Sequence, residues 1–186
     1  METIYLGLVI FLFMLAVFDL WVGVSNDAVN FLNSAIGAKA AKFRTIMIIA
    51  AIGIFCGATM SSGMMDIARH GIFRPEQFFF DELMCIFLAV MVTDIILLDI
   101  FNSLGLPTST TVSMVFSLLG GTSGLTIVKL AHDTTGLSIA DLMNTEKALS
   151  VIIAIFVSVA IAFFFGTIVQ FLSRLLFTFN YKSHLK

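Results

Sequence analysis

The sequence predicts an all-α membrane protein built from about five apolar segments. Hydrophobic residues make up 59% of the 186 residues and charged residues only 12%, whereas a soluble domain carries about a quarter charged residues. The mean hydropathy of +1.06 points the same way. The apolar runs are continuous rather than alternating, which argues against the strands of a membrane barrel. A chain with so few charges is expected to be covered mostly by lipid.

Five runs are long enough to cross a hydrocarbon core of ~30 Å. The first run contains Asp19 and has no basic residues before it, so it is not expected to be a cleaved signal peptide. The two polar loops, 66–82 and 129–147, are too short to form a second domain, so we expect a single membrane unit over residues 1–186. The predicted segments are Ile4–Val24, Thr45–Met65, Leu83–Phe101, Val112–Val128 and Ala148–Ser173.

The basic residues favour one orientation in the cell inner membrane. With the N-terminus outside, six of them fall on the inner side and four on the outer side, as the positive-inside rule prefers. The inner set is Lys39, Lys42, Arg44, Arg174, Lys182 and Lys186, and the outer set is Arg69, Arg74, Lys129 and Lys147. The C-terminus is then cytoplasmic. A unit that begins and ends on opposite faces could be followed directly by an inverted copy of itself.

Several functional classes are disfavoured. The net charge of −2 gives no reason to expect nucleic acid as a partner. Cys56 and Cys85 lie inside apolar runs without metal-ligand spacing, so no metal centre is expected from them. His70, His132 and His184 lie in loops or in the tail, and no nucleophile motif accompanies them. We therefore do not expect an enzyme.

Four acidic residues lie in or beside the apolar runs, namely Asp19, Asp27, Asp94 and Asp99. Each costs about 2.5–3.5 kcal/mol at a helix centre on insertion scales, so four together need a reason. For Asp19, Asp94 and Asp99, an interfacial or structural role and a functional role are equally compatible with the sequence. Asp27 is different because of its neighbours.

Asp27 lies in a polar cluster with Asn26 and Asn30, four residues after Gly23. Asparagine and glycine disfavour a continuous helix, so the sequence predicts that the first helix is broken here. Irregular backbone at membrane depth is tolerated only where it is buried in protein or lines a polar cavity. If the helix resumes, Asp27 and Asn30 share one face. This cluster is predicted to be functional.

A second cluster runs from Asn102 to Thr111. Gly105 and Pro107 break the preceding helix, and a proline at the first helical position would start a new one. The first-turn N–H groups and the consecutive hydroxyls at Thr108, Ser109, Thr110 and Thr111 would then favour an anion without any basic side chain nearby. A hydroxyl-rich helix cap that satisfies only itself is the alternative. Two broken segments in one small unit indicate the midplane site of a transporter, with the second one forming a re-entrant type of helical hairpin.

The two motifs together resemble the inorganic phosphate transporter family (PiT, or Pho4), which carries G-x-N-D-x-x-N and P-x-S-T-T signatures in each of two inverted halves. The run Asn26-Asp27-Ala-Val-Asn30 matches the first, the run Gly105-Leu-Pro-Thr-Ser-Thr-Thr111 matches the second, and Asn33–Ala38 resembles the continuation of the first. There are departures from the family pattern. Val24 stands at a usual glycine, Asn33 replaces a second glycine, and Val112 replaces a histidine.

The resemblance implies a symporter that moves phosphate with a sodium or proton gradient by alternating access. It implies that Asp27, Asn30, Ser109, Thr110 and Thr111 contribute to the substrate and ion sites. We expect phosphate at Asn30 and at Thr108 to Thr111, and a coupling cation such as Na+ at Asn26 and Asp27. No other cofactor is expected.

Asp27 could play either of two parts beside an anion. A carboxylate repels an anion unless a cation lies between them or the anion carries a proton. Phosphate near neutral pH keeps a P–OH that can donate to a carboxylate, whereas sulfate has none. The sequence leaves both roles open.

The family has two copies of each signature, and this sequence has one. We therefore expect one half of an inverted-repeat transporter, as a fragment or as a chain that pairs with a second transporter half. A homodimer of dual topology ranks below these. The alternatives in function are a membrane subunit without transport of its own and a carrier of a related oxyanion such as sulfate.

Overall fold

In the computed structural model, residues 2–62, 71–132, 136 and 138–177 are described. Arg69, His70, Lys182, His184, Lys186 and the end of the second predicted segment at Met65 lie outside these ranges. Within them the regular structure is helical apart from one isolated bridge. The helices are α1 (Glu2–Gly37), α2 (Phe43–Thr59), a 3₁₀ turn (Pro75–Gln77), α3 (Phe80–Leu104), α4 (Thr110–His132), α5 (Ile139–Leu142) and α6 (Thr145–Leu176).

Four of these helices, α1, α3, α4 and α6, are long and apolar enough to cross a membrane, which confirms the all-α membrane fold. The predicted segment from Thr45 becomes the shorter α2, which has 17 residues. The helix ends at Thr59, whose hydroxyl donates to the Cys56 carbonyl at 2.8 Å. At ~26 Å by helical rise, α2 is at the lower limit for a span.

The prediction of a broken first helix is wrong, because α1 is continuous through Gly23 and Asn30. Asparagine disfavours helix when its side chain competes for nearby backbone groups. Here the side-chain amide of Asn26 instead donates to Asn102 of α3, and that of Asn30 donates to Asn26 and to the segment that precedes α4. A glycine inside a helix costs only about 1 kcal/mol relative to alanine. The irregular backbone lies in the partner segment, between α3 and α4.

α3 and α4 form an antiparallel hairpin that packs against α1. The buried residues of α3 recur at every fourth position, at Ile86, Val90, Asp94 and Leu98. At Gly121 of α4 the helices come close, because a Cβ there would stand 3.4 Å from Val90 Cγ2 and 3.6 Å from the Ile86 carbonyl oxygen. This is the predicted helical hairpin, and its re-entrant character stays a prediction.

α1 runs parallel to α3 along this face. At one end, the rings of Tyr5 and Phe80 meet edge to face with centroids 5.5 Å apart. At the other end, Asn26 of α1 donates to Asn102 of α3. The turn between α3 and α4 therefore lies beside the second half of α1.

The loops at the base of the hairpin are packed rather than simply polar. Phe73 is 1% exposed, and its neighbour Arg74 donates its amide to the Leu142 carbonyl at 3.1 Å. Lys129 at the end of α4 binds Glu82 at 2.7 Å, and its ammonium group lies over the ring of Phe78. These contacts fix the start of α3 to the end of α4.

The chain divides into two compact units, residues 1–145 and 146–186. The second unit consists mainly of α6, whose large apolar side chains are exposed along its length. A helix that is apolar all round suits a lipid environment. The single unit over residues 1–186 stays a prediction.

Candidate functional site

The tip of the hairpin begins with a tightly closed helix end. α3 ends at Leu104, and Gly105 follows with a φ of 66°, in the left-handed region that favours glycine. The Gly105 amide donates to the Asn102 carbonyl at 3.1 Å, and the Leu106 amide donates to the Phe101 carbonyl at 2.9 Å. This pair of bonds is a Schellman motif, which reverses the chain direction after a helix.

The prediction that Pro107 starts the next helix is wrong, because α4 begins at Thr110. Ser109 is the N-cap: its carbonyl accepts from the Ser113 amide at 3.0 Å, and its hydroxyl accepts from the Val112 amide at 3.4 Å. A helix starting at Pro107 would have Leu106 at the N-cap, and leucine has no side-chain acceptor for the first-turn amides. The serine therefore decides the start of the helix.

This start leaves two amides at the head of α4. Within the described residues, the N–H groups of Thr110 and Thr111 donate no hydrogen bond. They point from the positive end of the α4 dipole, where a negative charge is stabilised. Ser109 and Thr111 are exposed, while Thr108 and Thr110 are half-buried.

The structure brings the two sequence motifs into direct contact. Thr110 Oγ1 donates to both oxygens of the Asp27 carboxylate, at 3.3 and 3.2 Å. Asn30 Nδ2 donates to the Thr108 carbonyl at 2.8 Å. Residues that are about 80 positions apart in the chain therefore form one cluster, with the carboxylate beside the unbonded amides of α4.

Asn26 lies behind this cluster, away from the surface. It is 2% exposed, and its Nδ2 donates to Asn102 Oδ1 at 2.8 Å. Its Oδ1 accepts from Asn30 Nδ2 at 3.3 Å. Since Asn30 gives its amide hydrogens to Asn26 and to Thr108, the polar atom that Asn30 leaves for a ligand is its oxygen.

A cavity of about 280 Å³ opens beside Asp27 between α1, α3 and α4. Its lining includes three carboxylates, Asp19, Asp27 and Asp94, together with Thr110 and Thr111. Among the residues the structure describes, no lysine, arginine or histidine lines it. The polar part of the lining that the structure describes therefore consists of carboxylates and hydroxyls.

The three carboxylates are held differently. Asp94 is 3% exposed and accepts the Ser113 hydroxyl. The Oδ1 atom of Asp19 is buried and has no hydrogen-bond partner within the described ranges. Asp99 is exposed and does not line the cavity. Helical spacing could have identified this set, because Asp19, Gly23 and Asp27 recur every four residues and so share one face of α1.

A second cavity, of about 480 Å³, lies between α1 and α2. Its lining is apolar and includes Phe31, Met47 and Ile54, and Asp27 is the charged residue that the described part of the chain contributes to it. Asp27 therefore lies on the walls of both cavities.

No group of three or more histidine, cysteine, aspartate or glutamate side chains in the described ranges is placed to hold a metal ion. A cation at Asp27 would therefore take its other ligands from hydroxyl and amide oxygens, which is the donor set offered by Thr110 and Asn30.

Comparison with known proteins gives one family and one relative. A protein described as "Putative phosphate permease" from Thermococcus kodakarensis is 32% identical over 103 residues, which are 54% of this chain and 25% of that protein. The match thus spans about a quarter of the relative's length. No solved structure matches. The model of the phosphate transporter family matches residues 23–185, which include the motif of α1 with Asp27 and the motif at the hairpin tip. The chain belongs to the phosphate transporter family.

Proposed function

We propose that this chain forms one half of a phosphate carrier in the cell inner membrane, which couples phosphate uptake to Na+ or H+ entry. The observation that carries the proposal is the contact between Thr110 and Asp27. It joins the carboxylate of one signature motif to the hydroxyl of a residue of the other, whose own N–H donates no hydrogen bond within the described residues. The family match supports phosphate as the substrate.

Phosphate would bind at the head of α4. The amides of Thr110 and Thr111 and the exposed hydroxyls of Ser109 and Thr111 supply donors, and the helix dipole favours the negative charge. Thr108 lies one residue before the cap, and its carbonyl is already bonded to Asn30. Its hydroxyl would add a further donor at the edge of the site.

The Asp27 carboxylate would act as the coupling and selecting group. It lies beside the proposed anion site, and no basic side chain in the described part of the cavity lining offsets its charge. A bound Na+ could lie between Asp27 and phosphate, with the Asn30 oxygen as a further ligand. Alternatively, the P–OH of phosphate would donate to Asp27. Asn26 would contribute by holding Asn30 in place.

In alternating access, Asp27 would be exposed to one cavity and then to the other. Of the two cavities that share Asp27 as a wall, one is completed by α3 and α4 and the other by α2. Opening one while closing the other would expose the same carboxylate in turn. The N-terminus would lie outside and the C-terminus in the cytoplasm. A second transporter half, or a second copy of this chain, would cover the exposed polar residues at the hairpin tip, including Ser109 and Thr111.

Uptake by the complete transporter, with both halves present in proteoliposomes, tests the proposal. Asp27→Asn should abolish phosphate uptake, and Asp99→Asn, the same change at an exposed carboxylate away from the cavity, should leave it near the parent rate. Gradients of Na+ and of H+, imposed separately, identify the coupling ion. Near-parental uptake by Asp27→Asn would overturn the assignment. Equal uptake of sulfate would favour a general oxyanion carrier, and phosphate binding without uptake would favour a non-transporting subunit.

A further inference from the structure

We propose that Asn102 is a positioning residue for the phosphate site, because its side chain sets where the hairpin tip lies relative to Asp27. The inference rests on the proposed function for its ligand and on the hydrogen bonds of Asn102 for its geometry. Asn102 lies in the last turn of α3, outside both signature motifs.

Asn102 joins a row of three side-chain amides between the hairpin and α1. Its Nδ2 donates to the Val22 carbonyl at 3.3 Å, and its Oδ1 accepts from Asn26 at 2.8 Å. Asn26 in turn accepts from Asn30, which also donates to the Thr108 carbonyl. Both ends of the row are backbone carbonyls.

The orientation of every amide in this row is fixed by its ends. A carbonyl can only accept, so Asn102 must present its NH₂ to Val22, and Asn30 must present its NH₂ to Thr108. The oxygen of Asn102 then faces Asn26, whose own oxygen faces Asn30. No amide can be turned over without losing a bond, which makes the row a specific connection.

The backbone of Asn102 takes part in the same connection. Its carbonyl accepts the Gly105 amide in the Schellman motif that turns the chain toward Ser109. The side chain of Asn102 thus binds α1, and its main chain takes part in the turn that ends α3. A shift of Asn102 would move the segment that carries the proposed anion site.

The row of three amides is important because the hydrogen bond that it helps to position, between Thr110 and Asp27, is weak. Thr110 reaches Asp27 at 3.2 and 3.3 Å, beyond the range of about 2.5–3.0 Å that is usual for hydroxyl hydrogen bonds. A displacement of the tip by less than an ångström would break that contact. Removal of the Asn102 side chain would also leave the Asn26 amide without its acceptor in a buried position. The Asn26 side chain must then change its position, or the protein loses stability because a buried donor is unsatisfied.

The test measures geometry and binding separately in the full-length protein. Cys56 and Cys85 are replaced by alanine, and spin labels at Val29 and Leu106, both exposed, report the distance between α1 and the tip by electron–electron resonance. Equilibrium binding of inorganic phosphate is measured on the unlabelled variants. Asn102→Ala should broaden the distance distribution and weaken phosphate binding by about tenfold, the effect of one lost hydrogen bond.

Three companion variants separate positioning from general stability. Ser103→Ala, at the exposed neighbour, should change neither measurement. Asn102→Gln keeps the amide on a longer side chain, so it should shift the distance while retaining a single narrow population and part of the affinity. Ile86→Ala, which opens a cavity at a buried position near the start of α3, should lower the unfolding temperature without moving the tip, whereas Asn102→Ala should move it.

The outcomes for the two proposals are distinct. A parental distance distribution and parental phosphate affinity in Asn102→Ala would overturn the positioning role. If Asn102→Ala cannot be purified in a folded form, Asn102→Gln provides the test. An unchanged distance between the spin labels in that variant would equally overturn the positioning role of Asn102. A parent protein that binds no phosphate, while Asn102→Ala still moves the tip, would contradict the proposed function and leave the positioning role intact.

Discussion

Ser113 of α4 donates its hydroxyl to the Asp94 carboxylate of α3, and both side chains are buried. The contact lies one turn after the Ser109 cap, so it fixes the start of α4 against α3. A buried carboxylate is costly unless it is hydrogen-bonded. The Ser113 hydroxyl supplies the hydrogen bond that the buried Asp94 carboxylate needs, close to the proposed site.

Replacing Ser113 by alanine should therefore destabilise the protein. The Asp94 carboxylate would lose its partner in a buried position, at a cost of about 1–3 kcal/mol. Unfolding in detergent, followed by circular dichroism, measures the change. Ser158→Ala, at an exposed serine that bonds only a carbonyl of its own helix, is the control and should be near neutral. Equal unfolding curves for the two variants would contradict the prediction.

Substitutions at Ser109 should separate the parts played by hydroxyl and amide donors. Ser109→Ala removes one hydroxyl donor, a loss of about 1–3 kcal/mol, which weakens phosphate binding about 5- to 150-fold without eliminating it. Ser109→Leu should abolish binding, because its bulk closes the approach to the backbone amides of Thr110 and Thr111. Titration with radiolabelled phosphate measures both. Parental binding by both variants would place the anion elsewhere.

Gly121 is expected to tolerate alanine but not valine. A Cβ there makes ordinary contacts with Val90 and with the Ile86 carbonyl, so Gly121→Ala should be accommodated. The γ carbons of Gly121→Val would overpack the α3–α4 interface and cost about 1–3 kcal/mol. Gly124→Val is the matched control, because no atom lies within 4 Å of a Cβ at that position. The ranking is read from thermal unfolding, and a Gly121→Val variant as stable as Gly124→Val would refute it.

The orientation can be tested by labelling from outside the cell. In a variant without Cys56 and Cys85, a cysteine at Ser138 should react with an impermeant thiol reagent in whole cells. A cysteine at Lys42 should be protected until the cells are opened. Both positions are exposed in the structure. Labelling at position 42 with protection at position 138 would reverse the proposed orientation.

Much of the fold could be predicted from the sequence, because membrane helices are specified by the length of their apolar runs. The predictions failed where a local preference is decided by a partner. The side-chain amides of Asn26 and Asn30 act on the hairpin rather than on their own backbone, so α1 stays helical. The start of α4 could have been found from the capping preference for Ser109 over Leu106.

The candidate site could be predicted only in part, because its contacts depend on partners that are distant in the sequence. The contact between Asp27 and Thr110 is implied by no spacing along the chain, since the residues are 83 positions apart. Asn102 opens the second sequence cluster but lies outside the family signature, and its role depends on facing Asn26. The cavity set of Asp19 and Asp94 needed only helical periodicity along α1 and α3 to be suspected.

The α3–α4 hairpin is fixed at its base, so a small tilt there would produce a large displacement at its tip. Glu82 caps the start of α3 through the Phe79 amide at 2.8 Å and binds Lys129 at the end of α4. The fulcrum therefore lies at one end of two helices, and the tip lies about 37 Å away by the rise of α3. A tilt of only about 5° at the fulcrum displaces the tip by about 3 Å, the length of one hydrogen bond. A tilt of that size at the base would be enough to break the contact between Thr110 and Asp27.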